Sequence, residues 1–156
     1  MEWIVLEFGI YAEHGKTLPE IILENPDYFL FCFEKDIFKN YDDLKFQTEE
    51  LYSKIRAIKI PENHSPDLVC EYLKNSKTGI INTIQLNYKD ARRDDNCVYR
   101  ESYIDLAFPR EYNPDAKKVT NKLLPQLFFI LFGDRDVLLS KTMCEDFFSD
   151  DYNFNV

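Results

Sequence analysis

Residues 68–88 have the sequence LVCEYLKNSKTGIINTIQLNY, and the fold class that we predict follows from this stretch. The runs 68–74 and 80–88 are short, the second alternates between two sets of residues, and the five residues between them end in a glycine, which is typical of a hairpin loop. Residues 98–108 have the same strand-forming character, and we expect Pro109 to end them. The sequence therefore predicts a three-stranded antiparallel sheet.

Helix-start signals fill the chain before this sheet. Thr17 and Glu20 stand three positions apart, which is the spacing of a capping box. Asn25 precedes Pro26, so a good cap comes directly before a residue that is preferred at the first helical position. These signals, with an amphipathic pattern after Asp42, predict helices over about 18–24, 26–38 and 42–58. The apolar run over 3–8 predicts a short strand before them.

Two more helices are predicted after the sheet. The first begins at Asp115 and reaches Phe132, where Gly133 provides the C-terminal stop. Pro125 is expected to kink or split it, because proline cannot donate the backbone hydrogen bond that a helix interior needs. The second is a short helix over about 140–148.

Length and composition predict how these elements are organised. The chain has 156 residues, of which 45% are hydrophobic and 30% charged, so we expect one domain with a single core. Residues 1–60 should form a mainly helical portion, and residues 61–156 the sheet with C-terminal helices on one of its faces. The predicted architecture is therefore an α+β domain.

Net charge narrows the classes of partner. A formal charge of −9 opposes binding to phosphate backbones and anionic lipid. No apolar run approaches the roughly 20 residues that a membrane span requires. The first 15 residues hold no Lys or Arg, unlike a signal peptide. We therefore expect a cytoplasmic protein without membrane association.

The second predicted helix is unusually apolar. Six consecutive apolar residues, Tyr28 to Phe33, cover every side of it. The helix is either enclosed in the core or presents one side to a partner or to a second copy of the chain. Phe29 and Phe33 share one side and are predicted core residues, and Tyr28 and Phe31 are the candidates for a partner-facing side.

One stretch of the middle third combines positive charge with aromatic side chains. Its central members are Arg92 and Arg93, with Tyr99 and Tyr103 close by in sequence. Such groups pair with phosphates and stack on bases, so the two arginines are candidate contacts for single-stranded nucleic acid. The alternative is a charged surface loop, because three aspartates lie in the same stretch.

Three short motifs follow one another near the start of the chain: Phe8-Gly9, Gly15-Lys16-Thr17-Leu18 and Asn25-Pro26-Asp27-Tyr28. Together they resemble the small module at the C-terminal end of exodeoxyribonuclease X-like proteins, which also occurs in other phage and bacterial proteins. The resemblance covers residues 8–34 and implies an accessory or binding module near nucleic acid, without nuclease activity of its own. It adds Lys16 to the candidate binding residues.

Candidate catalytic groups are sparse. Two pairs of carboxylates, Asp67 with Glu71 and Glu101 with Asp105, stand four residues apart and would share one face of a strand, where they could hold a divalent metal ion or simply face solvent. The four cysteines lie far apart, without the paired spacing of zinc sites, and are predicted to be buried thiols. We expect no metal and no organic cofactor.

Three classes of function remain. The first is a non-enzymatic binding or adaptor protein, associated with nucleic-acid processing through the resemblance, and with a protein partner favoured over weakly bound single strands. The second is an acidic inhibitor of the phage type, whose carboxylates imitate phosphates, and the third is a divalent-metal nuclease. The oligomeric state stays open.

Overall fold

The computed structural model describes residues 2–156 and has the α+β architecture that the sequence predicts. The helices of this part of the chain are α1 (Leu18–Glu24), α2 (Pro26–Glu34), α3 (Asp42–Ile55), α4 (Phe108–Tyr112), α5 (Leu124–Phe132) and α6 (Lys141–Ser149). The strands are β1 (Ile58–Lys59), β2 (Leu68–Lys74), β3 (Ile81–Tyr88), β4 (Cys97–Glu101) and β5 (Tyr103–Ile104).

The main sheet has three antiparallel strands in the order β3-β2-β4. β2 and β3 form the predicted hairpin. The side-chain oxygen of Asn75 shapes its loop by accepting hydrogen bonds from the amides of Lys77 (2.9 Å) and Thr78 (3.2 Å). β2 is the central strand, and β3 and β4 therefore form the two edges.

The prediction of a continuous third strand over 98–108 is wrong beyond Glu101. After Ser102 the chain continues as β5, which pairs with β1 in a separate two-stranded sheet. Ile58 of β1 also forms a bridge with Phe154, near the end of the chain. These pairings join segments that are distant in sequence, so local strand propensity does not indicate them.

The helix starts of the first third are confirmed, with three corrections. α3 ends at Ile55, and Ile58, predicted to be helical, lies in β1. The capping box of Thr17 is present, and the side chain of Asn25 accepts a hydrogen bond from the amide of Tyr28 (3.2 Å). α2 ends at Glu34 rather than near Phe38, and the left-handed backbone of Asp36, with φ of 52°, turns the chain away. Residues 3–8 form one isolated bridge to Thr17 instead of a strand.

α4 replaces the expected end of the third strand. Pro109 lies in the first turn of this helix, where its missing N–H costs nothing. One carboxylate oxygen of Asp105 accepts hydrogen bonds from the amides of Ala107 (2.9 Å) and Phe108 (3.2 Å), and this contact holds the start of the helix.

α5 begins later than predicted. The helix expected from Asp115 starts at Leu124, after a short 3-10 turn. Pro125 therefore lies in the first turn, so the predicted kink is absent, and the segment is instead divided at this point into the 3-10 turn and α5. Gly133 ends the helix as predicted, with φ of 77° in the left-handed region.

One cluster of buried side chains draws on both halves of the chain. α5 lies against β3, and α6 packs against α1. Cys32, Cys70 and Cys144 are buried free thiols as predicted, whereas Cys97 is half-buried. Within residues 2–156, no helix combines the length and apolar character that crossing a bilayer would take. Representative members of the core are Leu6, Ile22, Phe29, Leu51, Tyr72, Ile104, Leu127 and Phe148.

Candidate functional site

Glu71, a predicted metal ligand, is enclosed by the sheet. Its side chain has 0% exposure, and Oε1 accepts hydrogen bonds from the amide groups of Gln85 (3.0 Å) and Asn87 (3.3 Å) on β3. Oε2 lies 3.2 Å from Nε of Arg100 on β4, an ionic contact that lacks hydrogen-bond alignment. Glu71 therefore has structural partners on both neighbouring strands.

Two further candidate carboxylates also have local partners. Asp67 lies 3.6 Å from the Nζ atom of Lys89 at the surface. Glu101 accepts a hydrogen bond from the backbone amide of Ser102 (2.8 Å), which lowers the pKa of its carboxyl group, and a second from the hydroxyl of Tyr99 (3.0 Å).

Asp105 lies beyond the break in the strand and faces α3 instead of Glu101. Nη2 of Arg56 lies 3.2 Å from Oδ2 of Asp105, and the same guanidinium donates to Glu111 (2.6 Å) and Tyr52 (2.9 Å). Burial raises the pKa of Asp105, and Arg56 partly offsets that effect. Residues 2–156 bring together no group of three or more His, Cys, Asp or Glu side chains that could hold a metal ion.

The predicted basic contacts lie on different elements. Lys16 stands at the start of α1, with its Nζ atom 3.8 and 3.9 Å from two carboxylates of that helix. Arg92 lies in the β3–β4 loop, with Nη2 2.7 Å from the carboxylate of Asp95. Arg93 is exposed and makes no ion pair within the described residues. Binding of nucleic acid by these three side chains stays a prediction.

The two predicted partner-facing residues of α2 differ from each other. Tyr28 is half-buried, its ring centroid lies 5.4 Å from that of Tyr11, and its hydroxyl occupies the space that a Cβ on Gly9 would need. Phe31 is 44% exposed. Only Phe31 therefore offers a substantial apolar surface.

The two predicted core residues of α2 also differ. Phe29 is buried, as the sequence predicts. Phe33 is half-buried and stacks on Tyr52 of α3, with ring centroids 3.8 Å apart. α2 is therefore enclosed on the side of Phe29 and only partly covered on its other sides.

A groove of about 530 Å³ runs between β3 and α5, and none of the predicted binding residues lines it. One wall consists of the four consecutive strand residues Thr83–Leu86, and the other of Gln126, Phe129 and Ile130. Successive strand residues point to opposite faces of a sheet, so a groove lined by four in a row follows the edge of the strand. Phe129 is 56% exposed and presents its ring at this edge.

The backbone of β3 has unpaired groups along the groove. The amide of Lys89 donates to the carbonyl of Asp67 (2.8 Å), one step beyond the β2–β3 ladder. Bonded and non-bonded pairs alternate in an antiparallel ladder, so the N–H and C=O groups of Ile84, Leu86 and Tyr88 point away from β2. The amide of Tyr88 indeed bonds outside the ladder, to the side chain of Asn87 (2.8 Å).

Most of the outward groups at the centre of the strand have no partner. The carbonyl of Ile84 accepts a hydrogen bond from the hydroxyl of Thr83 (3.3 Å). The amide of Ile84, and both the amide and the carbonyl of Leu86, have no hydrogen-bond partner within residues 2–156. β3 therefore has two donors and one acceptor without partners: the amide and carbonyl of Leu86, which is half-buried, and the amide of Ile84, which is buried with 3% exposure.

This edge lacks two common forms of protection, although α5 lies against β3. Edge strands are shielded by a covering helix or loop, and within the strand itself by charged residues or proline. Residues 80–88 contain neither, although 30% of the whole chain is charged. The groove has no carboxylate in its lining, whereas four other grooves on the described part of the chain each include at least one Asp or Glu.

Two polar side chains stand at the rim of the groove. Nε2 of His64 lies 2.8 Å from the carbonyl oxygen of Ile130, so this nitrogen is the donor and Nδ1 has no partner among the described residues. The side chain of Gln126 bonds the carbonyl of Leu123 through its nitrogen and Nη2 of Arg135 through its oxygen (both 3.2 Å). An apolar groove with a few convergent polar groups is the usual form of a ligand site.

The residues that carry the resemblance to the exonuclease module have structural roles. The carboxylate of Asp27 accepts hydrogen bonds from Nη1 of Arg110 (3.1 Å) and from the amide of Asn121 (2.7 Å), which ties α2 to the second half of the chain. Asn25 caps α2, and Gly9 makes room for a tyrosine hydroxyl. Folding alone accounts for these positions. Comparison with protein-family models, with curated proteins and with solved structures finds no match to this chain.

Proposed function

We propose that this protein is a non-enzymatic binding or adaptor protein, and that its binding site is the groove between β3 and α5. The partner contributes an extended segment that pairs with β3 as an added strand. The observation that carries this proposal is the unpaired backbone of Ile84 and Leu86 beside an apolar groove. An association with nucleic-acid processing rests only on the resemblance of residues 8–34.

The available contacts suit a transient partner. Each backbone hydrogen bond contributes about 0.5–1.5 kcal/mol net, and the two donors and one acceptor of β3 allow three of them. An apolar side chain of the partner gains further stability by covering Phe129. Ordering the segment opposes these gains, so we expect dissociation constants of roughly 10⁻⁶ to 10⁻⁴ M.

The chemistry of the carboxylates supports binding over catalysis. Each candidate metal ligand has a structural partner: Glu71 pairs with Arg100, Asp105 with Arg56 and Asp67 with Lys89, and Glu101 accepts hydrogen bonds from Ser102 and Tyr99. A metal ion would have to displace those partners. The groove, in contrast, contains no carboxylate and offers apolar and hydrogen-bonding surface.

The test is selection from a phage-displayed library of random 12-residue peptides, followed by hydrogen exchange on the complex with a synthetic selected peptide. Strand addition should slow exchange at the amides of Ile84 and Leu86, because those amides gain acceptors. Phe129→Ala should weaken the selected peptides at least fivefold. Phe46→Ala removes an equally exposed ring from α3 and serves as the matched control, with no effect expected.

A second variant tests the backbone itself. The amide of Leu86 points away from β2, so Leu86→Pro removes an outward donor without taking a bond from the β2–β3 ladder. Circular dichroism would establish that this variant folds, and its peptide affinity should then fall. Selected peptides that leave the amides of β3 unprotected, or a library that yields no peptide, would contradict the proposal.

A further inference from the structure

We infer that the β3–α5 groove selects extended segments that carry a carboxylate next to apolar residues, with Arg135 as the side chain that pairs with the carboxylate. This inference rests on the proposed function and names the chemistry of its partner. It runs against the net charge of the chain, because a protein of charge −9 repels acidic peptides at long range.

The composition of the groove supports an acidic partner. The chain holds 28 Asp and Glu residues, and each of four other described grooves has at least one in its lining. The titratable groups that line the β3–α5 groove are only His64 and Arg135. A carboxylate entering this groove therefore meets one fixed positive charge, one imidazole and no lining carboxylate.

Arg135 is available for such a contact. Of the six arginines, Arg56, Arg92, Arg100 and Arg110 form ion pairs with carboxylates of the chain. Arg135 forms none within residues 2–156, and its one contact is the neutral amide oxygen of Gln126. Its planar guanidinium keeps free N–H donors in the arrangement that binds a carboxylate through two parallel hydrogen bonds.

The acidic neighbours of Arg135 form no ion pair with it. Asp134 and Asp136 flank it in sequence, and Oδ1 of Asp134 accepts a hydrogen bond from the amide of Asp136 (2.9 Å), which closes a local turn. Neither aspartate makes an ion pair with the guanidinium or lines the groove. The turn therefore holds these carboxylates outside the lining while Arg135 is part of it.

A second copy of this chain suits the groove less well. The two β3 edges could pair with each other, but residues 80–88 contain no carboxylate. Pairing of two β3 strands would therefore leave Arg135 without an ionic partner in both copies. Charge complementarity favours a different chain that supplies an acidic residue within the added strand.

The experiment uses fluorescence anisotropy with labelled nine-residue peptides built on a Val/Thr framework. A single Glu, Gln or Lys is placed at each position in turn, because the paired position depends on the register of the added strand. With the natural protein, the best Glu peptide should bind about tenfold tighter than its Lys counterpart. Long-range charge alone would give the opposite order.

Charge-changing variants of Arg135 test whether this side chain causes the preference for Glu peptides over Lys peptides. Arg135→Gln should remove the difference between the Glu and Lys peptides, and Arg135→Glu should reverse it. Arg93→Glu is the matched control, because it makes the same change of charge at the other arginine without an ion pair, in the β3–β4 loop. The preference for Glu should survive in this control.

The outcomes separate this inference from the proposed function. Equal binding of Glu and Lys peptides, lost in Phe129→Ala, overturns the acidic preference and leaves the groove as a peptide site. A preference that Arg93→Glu abolishes as fully as Arg135→Glu also overturns it. No binding by any peptide, together with a dimer by sedimentation that Leu86→Pro dissociates, overturns both claims and makes a second copy the occupant. No binding by a monomeric protein also overturns both.

Discussion

The buried pair of Glu71 and Arg100 permits a sharp test of how the sheet is stabilised. We consider Arg100→Leu, which removes the guanidinium 3.2 Å from Oε2 of Glu71 and keeps an apolar side chain of moderate size. Glu71 has no exposed surface, so water cannot replace the lost cation. The variant therefore leaves a buried carboxylate with only the amide donors of Gln85 and Asn87.

The magnitude follows from the two kinds of contact that are lost. Breaking a buried ion pair by removing one partner costs about 3–5 kcal/mol, because the remaining charge stays desolvated. Arg100 also donates to the carbonyls of Tyr88, Lys89 and Ala91 at the surface, where water takes over as donor and little stability is lost. We therefore expect a loss of about 3–5 kcal/mol, nearly all of it from the uncompensated carboxylate.

A double-mutant cycle measures how much of this loss of stability comes from the interaction between Glu71 and Arg100. Glu71→Gln removes the charge and keeps the shape, so Arg100→Leu introduced on that background should cost only about 1 kcal/mol. The coupling between the two sites should then be about 2–4 kcal/mol. Urea unfolding followed by the fluorescence of Trp3, the single and buried tryptophan, gives the free energies.

Arg92→Leu is the matched control. Arg92 pairs with Asp95 in the adjoining loop, but its side chain is 87% exposed, and exposed pairs contribute between zero and about 1 kcal/mol. A cost for Arg100→Leu no larger than that of Arg92→Leu, or a coupling near zero, would refute the reasoning. Glu71 would then be hydrated or rearranged in solution, and its availability to a metal ion would have to be reconsidered.

Three further outcomes are expected. Phe29→Ala should cost about 3–5 kcal/mol in urea unfolding, and Phe31→Ala less than about 1 kcal/mol, because the first ring is buried and the second is 44% exposed; equal costs would mean that α2 is enclosed on all sides. Iodoacetamide at pH 8 should modify half-buried Cys97 first in the native protein, since burial raises the pKa of Cys70 to about 12 and that of Cys144 to about 11. Mass spectrometry gives the order of modification, and early modification of Cys70 would contradict the packing of β2. Short single-stranded DNA and RNA should bind weakly at 50 mM salt and more weakly at higher salt, and affinity should fall in alanine variants of the predicted contacts; anisotropy unaffected by the substitutions would remove this role from Lys16, Arg92 and Arg93.

Elements with local chemical signals were predictable from the sequence. Thr17 with Glu20 locates the start of α1, and Asn25 locates the start of α2, because the groups that cap these helices lie within three residues. The β2–β3 hairpin was predictable for the same reason, since its loop is short and Asn75 organises it. In each case the contacts that form the element are close in sequence.

The errors occur where a distant segment competes with local propensity. β4 and β5 look like one strand in sequence, but Ile104 pairs with Ile58, and Ile58 also bridges Phe154. Asp105 therefore accepts hydrogen bonds from the amides of Ala107 and Phe108 at the start of α4 and meets Arg56 instead of lining up with Glu101. The sequence did contain one usable signal, because an aspartate side chain often bonds the backbone amide two residues later and so favours a turn over a continued strand.

The groove escaped the sequence analysis for a related reason. Charged and aromatic residues are the usual sequence signals of a binding site, whereas the distinguishing feature of residues 80–88 is that they contain no charge. That feature acquires meaning only in the strand order β3-β2-β4, because an uncharged central strand is ordinary and an uncharged edge strand is exposed to pairing. An exposed edge of this kind is an aggregation hazard unless something covers it. Under the proposed function, the partner strand covers this edge of β3, beside a groove that contains Arg135 and no carboxylate.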